Sequence, residues 1–203
     1  MAAQIIELRL NGASLDQIAR LLRDGGVAIF PTDTIYGIGG NALNPEIVAR
    51  VHRIKGRPSG KPFSLHLADV EDVHRYCQGL TSRQTGYLNK LLPGRYTVVL
   101  SASDAVPDAF VSDGKVGIRV PDSAGFRAIA ERLEFPLFGT SVNRSGEPPL
   151  TEIDEIAARF SDEVDMIVVT DEPMTNESSV VIDLTRDPPV ALRGDLPQEL
   201  LGP

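Results

Sequence analysis

Gly25-Gly26-Val27-Ala28-Ile29-Phe30-Pro31-Thr32-Asp33-Thr34-Ile35-Tyr36-Gly37 runs from a helix stop through an apolar strand into a polar turn. The paired glycines end a preceding helical pattern. Four apolar residues then read as a short buried strand, and Pro31, which has no N–H to donate, closes it. The Thr and Asp side chains that follow emerge at the end of that strand, where open α/β sheets bind ligands. Such residues also cap turns, and on this stretch alone both readings stand.

Working outward, Ser14 is expected to cap a helix through Leu22. Asn44 and Pro45 open a second helix whose apolar face is Ile47, Val48, Val51 and Ile54, with a stop near Gly56. Apolar or alternating runs predict strands over 63–67, 96–100, 116–120, 137–141, 166–169, 180–184 and 190–192. Helices are expected over 81–91, stopped by Pro93-Gly94, and over 123–133 and 152–160. Helices interleaved with short apolar strands, without a linker, repeat or low-complexity segment, predict one α/β domain over residues 1–203, a sandwich around a twisted sheet.

Composition narrows the function. Apolar residues make up 42% and charged residues 24% of the 203, as in globular proteins. A formal net charge of −8 argues against coating nucleic acid by general electrostatics. No apolar run approaches the ~20 residues of a membrane helix, and Met1-Ala2-Ala3-Gln4-Ile5 does not read as a secretion signal. Cys77 stands alone, so a reducing, cytoplasmic setting is expected. Between Ile47 and Ala68 no acidic residue interrupts Arg50, Arg53, Lys55, Arg57 and Lys61. That basic island suggests a discrete anionic ligand, with a solvated helix end as the plain alternative.

Several familiar patterns fail. Gly56-Arg57-Pro58-Ser59-Gly60-Lys61-Pro62 is one residue short of a phosphate loop, and proline stands where Ser or Thr should meet magnesium. Gly37-Ile38-Gly39-Gly40-Asn41-Ala42 fits the loose dinucleotide fingerprint, yet Thr32 to Tyr36 separates it from its strand and Pro45 interrupts its helix. His52, His66 and His74 lack metal-ligand spacing, so no protein metal site is expected. No nucleophile turn of the G-x-S-x-G kind occurs.

Polar residues at strand ends remain. Lys55, Arg57 and Lys61 sit on or beside a loop stiffened by prolines, and arginine presents a fork that suits phosphate oxygens. Gly139-Thr140-Ser141-Val142-Asn143-Arg144-Ser145-Gly146 offers hydroxyls and an amide on one turn, for a ligand or for the turn itself. Arg119 lies in an apolar strand, where an unpaired charge is costly, so it requires a carboxylate from the protein or from a ligand.

Together these stretches resemble the YrdC/Sua5 family, the threonylcarbamoyl-AMP synthases. Pro31-Thr32-Asp33-Thr34-Ile35-Tyr36-Gly37 meets the family pattern P-T-[DE]-T-x-Y-G; Lys55, Arg57, Pro58, Lys61, Pro62 and His66 meet its K-x-R-P element and the strand that follows. Pro93-Gly94 with Thr97, Arg119 with Pro121, Ser141 with Asn143 and Ser145-Gly146, Ser179 with Asp183, and Leu192-Arg193-Gly194 complete the match in order. The resemblance implies a single-domain open α/β sandwich with a mixed, twisted sheet around a large basic cavity. It implies that L-threonine, bicarbonate and ATP, with magnesium, give threonylcarbamoyl-AMP and pyrophosphate, which makes the chain a nucleotidyltransferase. A partner tRNA threonylcarbamoyltransferase complex would then modify adenosine 37 of tRNA, giving t6A; direct contact of this chain with tRNA is expected to be weak.

Carried over residue by residue, Thr34, His66, Arg119 and Ser179 should surround threonine. Lys55, Arg57, Lys61, Ser141, Asn143 and Arg193 should hold ATP, with Lys55 and Arg57 also counted as catalytic. Arg95, Lys115, Val142, Val180 and Gly39-Gly40-Asn41 depart from the family's commoner residues. The chain resembles the family's short form, in which a loop near 171–177 or a partner would close the site. The competing expectation is a paralogue of the same fold that binds RNA without this activity.

Overall fold

The computed structural model describes residues 2–10, 12–56 and 62–200. In chain order the strands are β1 (Gln4–Glu7), β2 (Ala28–Phe30), β3 (Gly37–Asn41), β4 (Ser64–His66), β5 (Tyr96–Ser101), β6 (Lys115–Arg119), β7 (Leu137–Ser141), β8 (Met166–Val169), β9 (Val180–Asp183) and β10 (Val190–Arg193). The α-helices are α1 (Ala13–Arg23), α2 (Pro45–Lys55), α3 (Val73–Tyr76), α4 (Ser82–Leu91), α5 (Ala124–Ala130) and α6 (Ile153–Phe160). Among the described residues the ten strands form one mixed, open sheet in the order β1-β8-β2-β3-β7-β4-β6-β5-β9-β10.

The deciding stretch behaves as its composition dictates. Val27 and Ile29 enter one apolar cluster while Ala28 and Phe30 enter the other, so β2 is buried on both faces. The larger cluster gathers Ile38, Leu65, Val98, Ile118, Phe138 and Ile182 from the sheet with Val48 and Val51 of α2 and Leu88 and Leu91 of α4. The smaller packs Leu15, Ile18 and Leu22 of α1 and Phe126 and Ile129 of α5 on Ala28, Phe30, Leu137, Met166 and Val168. It includes no residue of β5, β6 or β9. On that face half of the sheet is covered by helices, and the other half forms the floor of a cavity.

Local chemistry sets the helix ends. Asn44 Oδ1 accepts from Glu46 N and Ile47 N, Pro45 fills the first helical turn, and Gly56 leaves α2 in the left-handed conformation at φ 59°. Thr81 and Gln84 form a capping box on α4. Ser14 is a correction: Gly12 occupies the cap position of α1, and the Ser14 hydroxyl instead accepts from Arg9 N and donates to Arg9 O. The glycine run expected only to fail as a dinucleotide loop is β3, a central strand paired with β2 and β7. A Cβ at Gly39 would lie 1.8 Å from Phe138 O, so the neighbouring strand leaves no room for a side chain there.

Candidate functional site

A cavity of about 540 Å³ opens on the uncovered half of the sheet. Strand alternation builds its floor. Lys115, Gly117 and Arg119 of β6 face the cavity, whereas Val116 and Ile118 point into the core behind them. On β9, Val181 and Asp183 face it while Ile182 is core. Gly37, Gly117 and Gly139 keep this floor low. A Cβ on Gly139 would meet the His66 ring at 3.0–3.3 Å, so that glycine is what lets the imidazole lie over β7.

His66 and Arg119 are register partners on adjacent parallel strands. The Nδ1 of His66 lies 3.2 Å from the Ser64 carbonyl, which can only accept. The ring therefore donates from Nδ1 and turns Nε2 into an acceptor. Burial, reinforced by the Arg119 charge, pushes its pKa down to about 3, so the imidazole is neutral at physiological pH. Arg119, 4% exposed, gives Nη2 to Asp33 Oδ1 at 2.5 Å, while its buried Nε has no hydrogen-bond partner among the described residues. Burial pulls the guanidinium pKa down, Asp33 pushes it back, and nearby Arg193 lowers it further. The required carboxylate partner is therefore internal, and a further acceptor at Nε would complete the guanidinium.

Next to this pair, Ser179 Oγ lies 3.0 Å from Thr97 Oγ1 and accepts from Arg193 Nη2 at 2.8 Å; Arg193 Nε donates to the Ser179 carbonyl. A strap crosses above. Thr175 N donates to Asp33 O and Asn176 N to Thr34 O, Glu177 pairs with Arg95, and Glu172 receives Ser123 Oγ and Gly125 N. The segment singled out as a closing loop is thus fastened over the Thr32-Asp33-Thr34 turn.

Of the residues singled out from sequence, His66, Arg119, Ser179, Ser141 and Arg193 line the cavity. Thr34 is fully buried behind Thr32, its hydroxyl 3.0 Å from the Thr32 hydroxyl. Lys55 is 2% exposed and points Nζ at Ser141 O, Asn143 O and Asn143 Oδ1, at 2.5, 3.1 and 2.8 Å. Asn143 Oδ1 also accepts from Ser141 Oγ, and its amide donates to Arg144 O and Glu147 O. Lys55 and Asn143 therefore hold the turn that presents Ser141, and neither is among the residues lining the cavity. Arg57 and Lys61 lie outside the described residues. Sequence reasoning missed Asp183 and Arg186, both on the cavity. Asp183 ends an alternating strand on the same side as Val181, a signal that could have found it.

The Sua5/YciO/YrdC family model, described as telomere recombination, matches residues 20–194. A threonylcarbamoyl-AMP synthase of Pyrococcus abyssi is 34% identical over 183 residues, covering 89% of this chain and 54% of the relative. Another from Bacillus subtilis is 31% identical over 189 residues, 92% of this chain and 55% of its own length. The chain thus spans about half the length of these two relatives. The crystal structure of P. abyssi Sua5 complexed with L-threonine superposes with a TM-score of 0.89 at 31% identity, covering 99% of this chain and 60% of that one.

Proposed function

Because the chain belongs to the Sua5/YciO/YrdC family, we propose that it makes threonylcarbamoyl-AMP from L-threonine, bicarbonate and ATP. The observation that carries this reading is Arg119, a buried guanidinium on the cavity with an unsatisfied Nε, beside a neutral His66. The threonine carboxylate would complete Arg119, and His66 Nε2 and Ser179 Oγ would meet its hydroxyl and amine. A relative of similar fold is described with L-threonine bound, which supports that assignment.

The chemistry balances in two steps. The threonine amine attacks the carbon of bicarbonate, forming a C–N bond and releasing water to leave a carbamate. A carbamate oxygen then attacks the α-phosphorus, the bond to the β-phosphate breaks, and pyrophosphate leaves with the electron pair. The carbamate is already an anion, so positioning and charge compensation are the enzyme's main tasks. Ser141 and Arg193 would hold the nucleotide, with Arg57 and Lys61 on its phosphates. Lys55 and Asn143 would act by fixing the turn of Ser141.

Magnesium would supply charge neutralisation and enter on the nucleotide phosphates. The described residues hold no group of three or more His, Cys, Asp or Glu that could form a separate metal cage, and both oxygens of cavity-lining Asp183 are engaged by donors. The product would pass to a transferase complex that modifies tRNA.

The reading is tested by pyrophosphate release. Release should require threonine and bicarbonate together, and Arg119→Gln should raise the KM for threonine about 30-fold or more, since it removes a buried charged contact. Release that ignores threonine would contradict the proposal.

A further inference from the structure

Among the described residues the sheet has two free edges, and the chain treats them differently. At one, Pro188 and Pro189 precede β10, and its pairing with β9 shifts register between Ala191 and Arg193; prolines and bulges keep an edge from adding a further strand. The other edge, β1, holds no proline and pairs in unbroken register with β8 alone. Gln4 N donates to Asp165 O and Leu8 N to Val169 O, so by alternation Gln4, Ile6 and Leu8 turn their main-chain groups inward. Ala3, Ile5, Glu7 and Arg9 turn theirs outward. The two outer positions are already used within the chain: Ala3 N donates to Ser161 O, and the Ser14 hydroxyl accepts from Arg9 N and donates to Arg9 O. Ile5 and Glu7 lie between them, with N–H and C=O groups aimed off the edge.

The strip is complementary to itself. Ile5 is 58% exposed and Leu10 55%, an unusual cost for large apolar residues at a bare edge. Glu7 and Arg9 pair with each other at 2.7 Å, so Gln4–Arg9 is neutral in a chain whose formal net charge is −8. Two copies of so acidic a protein repel least where they meet on an uncharged strip. A two-fold axis through Ile6 sets Ile5 of each copy opposite Glu7 of the other, and every outward main-chain group of Ile5 and Glu7 then has a partner. Centring the pair on Ile5 or on Glu7 instead sets the remaining residue against Ala3 or Arg9, whose main-chain groups are taken. With the axis at Ile6, Leu10 of the second copy comes to the Ala2–Gln4 end of β1. A second cavity of about 450 Å³ opens there, lined by Gln4, Gln17, Leu21 and Met166 among others.

We propose that the outer edge of β1 is an interface between two copies of this chain, joined antiparallel about Ile6 so that one sheet runs through both. The interface is independent of the synthase reading, since no residue of β1 lines the cavity of His66 and Arg119. The two Ile5 side chains meet diagonally across the axis, each beside the aliphatic stem of Glu7 from the other copy. Leu10 of each copy gains the Leu21 and Met166 wall of the other copy's second cavity. The contact is small, so the dimer depends on concentration.

Sedimentation velocity over a dilution series of the full chain tests it. The parent should pass from monomer to dimer as concentration rises. Ile5→Glu sets a like charge opposite Glu7 twice in the dimer, whereas Ile5→Lys sets an opposite charge there. The dissociation constant of the glutamate variant should therefore exceed that of the lysine variant about tenfold or more. Ile5→Pro removes an outward N–H that no bond within the chain uses, and should give monomer. All three should keep the parent's far-ultraviolet circular dichroism, because Ile5 is exposed. A parent that stays monomeric throughout, a proline variant that still dimerises, or glutamate and lysine variants that associate equally would each overturn the interface and leave the synthase reading untouched.

Discussion

Arg119 and Asp33 are each costly to bury alone, and each is tolerated because the other is there. Their side chains are 5% and 14% exposed. Arg119→Gln leaves the Asp33 carboxylate without its counter-charge, and a loss of about 3 kcal/mol in folding stability is expected, read from the urea midpoint. His66 gives a pH signature. Its folded value of about 3 lies below the ordinary 6.5, so between those values the unfolded chain binds a proton that the folded chain refuses. The stability it contributes is complete above pH 6.5 and is lost as pH falls toward 3. The slope should approach about 1.4 kcal/mol per pH unit, and His66→Gln should remove it in the part of that window above the titration of Asp165 and Asp183. The need of Arg119 for a carboxylate was legible in the sequence. That Lys55 spends its ammonium on Ser141 and Asn143 was not, because a sequence shows which charge is present but not where a long side chain points.

Strands whose residues alternate were readable, and so was the face that each turns to the core. In β6, Val116 and Ile118 mark the core face, which leaves Lys115, Gly117 and Arg119 for the cavity. β3 was illegible for the opposite reason: close approach to β7 forces glycine at position 39, Gly26 O and Ile47 crowd position 40, and glycine carries no apolar signal. The same constraint makes Gly139→Ala informative. Its methyl must displace the His66 ring, so a loss of about 1–3 kcal/mol in stability is expected together with a raised KM for threonine. Asn44→Ala removes the cap of α2, which does not line the cavity, and should cost about 1 kcal/mol in thermal or urea unfolding without changing the KM for threonine.

The cavity exists because helices α1 and α5 cover only part of one sheet face while the opposite face is closed by the larger core. Its residues come from Thr32 through Arg193, so almost the whole chain must fold before the site exists. Motif order in the sequence foretold which segments meet. It could not foretell that the strap bonds to the main chain of Asp33 and Thr34, a contact between segments remote in sequence. Purified protein incubated with ATP, magnesium, bicarbonate and labelled L-threonine should yield threonylcarbamoyl-AMP, separated by chromatography and identified by mass, with one pyrophosphate per molecule formed. Folded protein that binds ATP and threonine yet yields no such adenylate would exclude the synthase activity.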